Sequence, residues 1–167
     1  GMGSGRRAAR ESHTAVSLME DFYRADFDDK TVLDAINKLL ILSSSDEIFS
    51  TMDFVMLDLI EGIAKFTKIG APHSYVSTRD GMRKLQAGSL PIGILEDYEP
   101  IVYEVPLSVG DTIVLFTDGI ADLEEENDEL YEIIRSAAKL RNAKESADYI
   151  LAHALAMCDG VAPDDMT

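Results

Sequence analysis

The chain has 167 residues, 46% of them hydrophobic, enough for one ordinary globular domain with a sizeable core. Its 15 basic and 31 acidic residues give a formal charge of −16, a surface that repels nucleic acid and anionic membrane and draws divalent cations into any acidic cleft. Cys158 is the only cysteine, which excludes an internal disulfide and a thiolate zinc cage. With no signal peptide and no apolar run near the ~20 residues of a membrane span, a reducing, cytoplasmic setting is expected.

Residues 6–24 carry Ala8, Ala15, Leu18, Met19, Phe22 and Tyr23 at helical spacing, with Ser4 or Gly5 as the start. Asp28 and Asp29 suit a second helix start, because acids there accept free backbone N–H groups and complement the helix dipole. Val32, Leu33, Ile36, Leu39 and Leu40 line one face of that helix as far as Ser43-Ser44-Ser45. From about residue 49 the period becomes two. Runs at 52–60 and 63–69 around Glu61-Gly62, and at 74–79 and 82–86 around Asp80-Gly81, predict two hairpins.

Further strands fit 100–106 and 112–117, joined by Leu107-Ser108-Val109-Gly110-Asp111. The short turns predict antiparallel pairing rather than a doubly wound parallel sheet. Two helices close the chain, an acidic one near 123–140 and another from about 143 to 157, where Asn142 and Glu145 resemble a capping box. With no repeat or linker, residues 1–167 read as one α+β domain, two sheets flanked by helix pairs. The end on Asp164-Asp165-Met166-Thr167 leaves an element unfinished, so the domain is expected to be incomplete.

The chemistry concentrates at residues 112–122. An apolar run, Thr112-Ile113-Val114-Leu115-Phe116-Thr117, stops at Asp118-Gly119, and a second acid follows at Asp122. A buried strand would deliver the Asp118 carboxylate to a sheet edge, where Gly119 allows a sharp turn or close approach. Hard divalent cations favour oxygen ligands held on such rigid elements. The bland alternative for Asp118 is a strand-ending turn, and for Asp164 an ordinary terminal acid. Asp122 is read as a cap near the next helix, and Asp53 and Asp58 as a solvated face. His13, His73 and His153 have no partner at helical spacing, and Cys158 is read as a small buried hydrophobe.

Five segments occur in an order that resembles bacterial metal-dependent protein phosphatases of the PP2C/PPM type, in particular the sporulation branch. They are Gly1-Met2-Gly3-Ser4-Gly5, Lys68-Ile69-Gly70-Ala71-Pro72, Leu90-Pro91-Ile92-Gly93-Ile94-Leu95, Phe116-Thr117-Asp118-Gly119 and Asp164-Asp165-Met166-Thr167. The resemblance implies a layered α-β-β-α sandwich of antiparallel sheets, with two Mn2+ or Mg2+ ions at the sheet edge. It implies hydrolysis of phosphoserine or phosphothreonine on a protein, in sporulation relatives a phosphorylated anti-sigma-factor antagonist.

By motif, Asp118 and Asp164 match metal-ligand carboxylates, Gly119 belongs to the same metal motif, and the Gly1 carbonyl helps hold a metal. Asp165 and Asp122 are expected just outside the ligands. The resemblance further implies a homodimer or partner contact through the N-terminal helices. It implies membrane spans elsewhere in a longer protein, with this domain on the cytoplasmic side.

The family's first motif carries an Asp immediately before the position of Gly1. That Asp, the strands before it and a closing strand after Thr167 are absent from this sequence, so the expected metal pair is under-coordinated. A phosphate monoester is a poor electrophile because its oxygens are already anionic. Two cations about 3.5–4 Å apart activate a water and screen that charge, so no side-chain nucleophile is needed. The Asp-x-Asp-Gly-Thr loop of haloacid-dehalogenase-type enzymes fits poorly, since Phe116 stands where its nucleophile would be and the hairpins conflict with a parallel sheet. The remaining alternative is a phosphatase-fold module, catalytically impaired, that binds a phosphoprotein or dimerises.

Overall fold

A computed structural model of the chain describes residues 6–43, 50–86, 88–125 and 129–167. The first helix, α1, runs Arg6–Arg24 and the second, α2, Asp29–Ser43. Then come strands β1 (Met52–Asp58), β2 (Ile63–Ile69), β3 (Ser74–Thr78), β4 (Gly81–Leu85), β5 (Ile101–Pro106) and β6 (Thr112–Val114). A one-turn helix α3 (Asp118–Ala121), α4 (Glu129–Ala137) and α5 (Ala143–Met157) follow. The expected element order is therefore present, and Ser4 and Gly5, proposed as the start of α1, lie outside the described residues.

The strands form two three-stranded sheets, in the orders β1-β2-β5 and β4-β3-β6. Antiparallel β3 pairs with β4 from Ser74 opposite Leu85 to Thr78 opposite Gly81, and with β6 at Tyr75 opposite Val114. β5 and β6 are consecutive in sequence yet belong to different sheets.

The chain folds as two compact units. The first gathers the chain up to Phe54 with Thr67–Gly70 and Gly88–Ile101. Its core is Ala15, Val32, Leu33, Ile36, Leu40, Ile69 and Ile92, so the predicted face of α2 is buried as the helical period requires. Asp28 caps α2. Its Oδ1 accepts from the Thr31 N–H at 3.0 Å and its Oδ2 from the Thr31 hydroxyl at 2.9 Å, and these bonds hold its carboxyl below the usual carboxylate range. After β2, Gly70 turns with φ +61°, and a Cβ there would lie 2.7 Å from the Pro91 nitrogen, so only glycine fits.

The second unit comprises Val55–Phe66, Ala71–Ala87 and Val102–Thr167. Ala64 and Phe66 of β2, Val105 of β5, Val76 of β3 and Leu85 of β4 share one cluster, which is the interior of a two-sheet sandwich. A second cluster joins Tyr75 of β3 and Phe116 to Leu130, Ile133, Ile134 and Ala137 of α4 and Ile150 and Ala154 of α5. Asn142 caps α5, its side chain accepting from the Glu145 N–H at 3.1 Å as the capping-box pattern predicts.

Three expected boundaries are corrected. β1 ends at Asp58 rather than residue 60, because the Asp58 Oδ1 takes the N–H groups of Ile60 and Glu61, each at 2.9 Å, and folds the chain over. β6 stops at Val114 rather than 117, where its pairing with β3 ends at Tyr75 opposite Val114. Where one helix is expected over 123–140, the described residues form a 3-10 turn at Asp122–Glu125, α4, and a second 3-10 turn at Ala138–Leu140.

Candidate functional site

After Val114 the chain leaves the β3–β6 ladder. Leu115 faces solvent, and Phe116 turns into the helical core, its ring 6.1 Å from Tyr75 and 5.3 Å from His73 between centroids. Thr117 is extended, at φ −80° and ψ 168°, and serves as N-cap of α3. Asp118 therefore opens α3 from a position anchored by the aromatic packing of Phe116.

The end of the chain returns to this corner. The Thr117 N–H donates to the Thr167 carbonyl at 3.1 Å, and the Thr117 hydroxyl donates to the Asp165 carbonyl at 2.8 Å. The Thr167 N–H in turn donates to the Thr117 hydroxyl at 3.1 Å. Gly119 is buried against this segment. A Cβ there would sit 2.6 Å from the Asp165 carbonyl oxygen and 3.3 Å from the Asp164 carbonyl carbon. Asp118-Gly119 and Asp164-Asp165, distant in sequence, are thus neighbours in the second unit.

The carboxylates are braced locally. One oxygen of Asp118 accepts from the Gly119 N–H at 3.1 Å, and one oxygen of Asp164 accepts from the Asp165 N–H at 2.7 Å. Asp118, Asp164 and Asp165 all have exposed side chains. Asp122 is exposed too, at the C-cap of α3 and the start of the 3-10 turn, not at the cap of the next helix expected from sequence. Gly1, the remaining sequence-predicted member, lies outside the described residues.

Among the described residues, no group of three or more His, Cys, Asp and Glu side chains is assembled to hold a metal ion. The donors present are nevertheless of the right kind. Asp118 and Asp164 are hard oxygen ligands suited to Mg2+ or Mn2+, and Gly119 allows the close approach that a larger residue would block.

Several residues depart from their sequence reading. Asp53, read as part of a solvated face, is paired with Lys68, whose side chain is fully buried. Burial pushes the Lys68 ammonium below the usual lysine range, while Asp53 pulls it back up. Cys158, expected in the core, is half-buried at the C-cap of α5. Thr117 entered the sequence reading only within the Phe116-Thr117-Asp118-Gly119 segment, with no role given to its hydroxyl. A shallow groove of about 750 Å3 along the β1–β2 hairpin, lined by residues such as Met56, Leu59, Ile60 and Glu104, contains none of the site residues.

The family model for stage II sporulation protein E (SpoIIE) matches residues 1–167. Stage II sporulation protein E of Bacillus subtilis (strain 168) is 34% identical over 170 residues, covering 100% of this chain and 21% of that protein. The phosphoserine phosphatase RsbU of the same organism is 31% identical over 100 residues, 58% of this chain and 29% of that protein. The solved structure of the PP2C phosphatase domain and a fragment of the regulatory domain of SpoIIE from Bacillus subtilis matches with a TM-score of 0.83 at 33% identity, over 99% of this chain and 50% of that one. A manganese-presoaked structure of the SpoIIE phosphatase domain from that organism matches with a TM-score of 0.64 at 29% identity, over 92% of this chain and 70% of that one. The chain spans about a fifth of the length of its curated SpoIIE relative. A match along its whole length, the mixed helix and antiparallel-sheet fold, and the meeting of two acidic turns agree with one another: this chain belongs to the SpoIIE family and has the fold of its PP2C-type phosphatase domain.

Proposed function

We propose that this chain is the catalytic part of a manganese- or magnesium-dependent serine/threonine protein phosphatase. Its substrate is a phosphoserine on a regulatory protein, by likeness to the sporulation relatives a phosphorylated anti-sigma-factor antagonist in the cytoplasm. The observation that supports the reading most is the meeting of Asp118-Gly119 with Asp164-Asp165 at the end of the β-sandwich.

Asp118 and Asp164 would hold the metal with the Gly1 carbonyl, a set that leaves the pair of ions under-coordinated, while Asp165 and Asp122 would lie outside it. The bound ions supply charge screening for the phosphoryl oxygens and a water acidic enough to attack at neutral pH. The protein's own part is electrostatic and geometric. Asp118 keeps one oxygen on the Gly119 N–H, which fixes the carboxylate's direction relative to α3. Asp164 does the same through the Asp165 N–H. Neither residue takes up the phosphoryl group. By the same likeness, α1 and α2 are the elements through which copies or partners associate.

The test is phosphate release from a phosphoserine protein, with and without Mn2+, by the chain extended at both ends to the length of the phosphatase domains it resembles. Turnover that requires Mn2+ and drops by at least about a hundredfold in Asp118→Asn, as loss of a transition-state electrostatic group predicts, supports the reading. An extended protein that binds the phosphoprotein and never turns it over would make the domain an interaction module.

A further inference from the structure

The corner that carries the candidate site is closed by one side chain that is not itself a carboxylate. Thr117 joins the two acidic turns three times. Its backbone N–H reaches the Thr167 carbonyl at 3.1 Å, its hydroxyl donates to the Asp165 carbonyl at 2.8 Å, and the same hydroxyl accepts the Thr167 N–H at 3.1 Å. The hydroxyl thereby uses both its donor and its acceptor capacity on the two residues that flank Met166. Asp118 follows immediately, and Asp164 immediately precedes Asp165.

Among the described residues, the side-chain hydrogen bonds that tie 164–167 to the Asp118 corner run through Thr117. Gly119 contributes only by leaving room, with its absent Cβ 2.6 Å from the Asp165 oxygen. A carboxylate pair drawn from two segments, linked by Thr117 and Asp165 48 residues apart, is only as well aligned as that link. Loss of a partner that orients metal ligands typically weakens metal binding by about 10–100-fold.

We propose that Thr117 is a positioning residue, a two-way hydroxyl clamp that sets the Asp164-Asp165 turn against Asp118 so that both carboxylates face one metal site. The proposal rests on the phosphatase reading and concerns how its site is assembled. Serine keeps the hydroxyl and should keep the clamp. Valine keeps the shape and the backbone bond to Thr167, yet removes both side-chain bonds.

The experiment compares wild type, Thr117→Ser and Thr117→Val in the extended protein by titration with Mn2+, read by the loss of the free-ion electron paramagnetic resonance signal. Amide hydrogen exchange at Thr167, measured without metal, and the thermal midpoint are recorded in parallel. Thr117→Val should weaken Mn2+ binding by about 10–100-fold, the range for losing a supporting partner. It should also speed exchange at Thr167 and leave the thermal midpoint near wild type, while Thr117→Ser restores both binding and protection. A valine variant that binds Mn2+ as wild type does overturns the clamp while the phosphatase reading stands. A wild-type protein that binds no Mn2+ overturns that reading, and the positioning role with it.

Discussion

Lys68 sits in the first unit with its side chain entirely out of solvent, and Asp53 pairs with its ammonium there. Removing one partner of a buried pair strands the other, and Asp53→Ala should cost about 3–5 kcal/mol in urea unfolding at neutral pH. The sign of the pH effect follows from the depressed lysine. A lysine whose folded pKa lies below its unfolded value opposes folding while charged, and the penalty relaxes as pH rises through the folded value toward the unfolded value of about 10.4. Without Asp53 the depression deepens. The deficit of Asp53→Ala relative to wild type should therefore narrow between pH 7 and 10, and a deficit that stays constant across that range would show Lys68 to be solvated. The sequence placed Asp53 on a solvated face and Lys68 in a family segment, with nothing to pair them. An alternating strand gives no sign of which polar face meets a buried cation.

At the scale of elements, the turns and caps follow local chemistry, whereas the links between elements depend on single residues. Asn37 lies on α2 and is 1% exposed. Its Nδ2 donates to the carbonyls of Leu95 at 2.9 Å and Glu96 at 3.1 Å, and its Oδ1 accepts the Gly93 N–H at 2.8 Å. One side chain thus pins the Leu90–Glu96 loop to the helix. Asn37→Leu fills similar volume and leaves three backbone groups unmatched, and each such group costs about 1–3 kcal/mol when it stays buried. The expected result is a lower urea midpoint and faster amide exchange at Gly93. An unchanged Gly93 exchange rate would mean that the loop is held by Ile92 in the core alone. The helical period predicted α2 and its apolar face, but Asn37 interrupts that face, and its role is visible only once the loop is in place.

For the whole molecule, the −16 charge is the dominant long-range term. Self-repulsion opposes compaction, and salt shortens its reach from about 10 Å at 0.1 M to about 3 Å at 1 M. Raising NaCl over that range should lift the thermal midpoint by about 2–4 °C, the shift that 1 kcal/mol gives a chain of this size. A midpoint that falls with salt would show that ion pairs such as Lys30–Asp34 and Lys144–Asp148 outweigh the repulsion. No helix among the described residues is long and apolar enough to cross a membrane.

The elements were legible because their causes are local. The helical period of α2, the Asp80-Gly81 turn before β4 and the Asn142 cap of α5 each depend on residues a few positions apart. The two acids of the candidate site were picked out by an apolar run ending in Asp118-Gly119 and a terminal Asp164-Asp165 that carry family spacing. Their meeting was not. It depends on Thr117 using its hydroxyl twice on Asp165 and Thr167, and on a buried glycine with no side chain to hold the turns apart. The partition of β5 and β6 into separate sheets and the pairing of Asp53 with Lys68 have the same origin. Sequence determined the pieces and the chemistry of their ends. Only tertiary structure decided which ends meet, because contacts between distant segments are selected by packing and hydrogen-bond satisfaction across the whole fold rather than by neighbours in the chain.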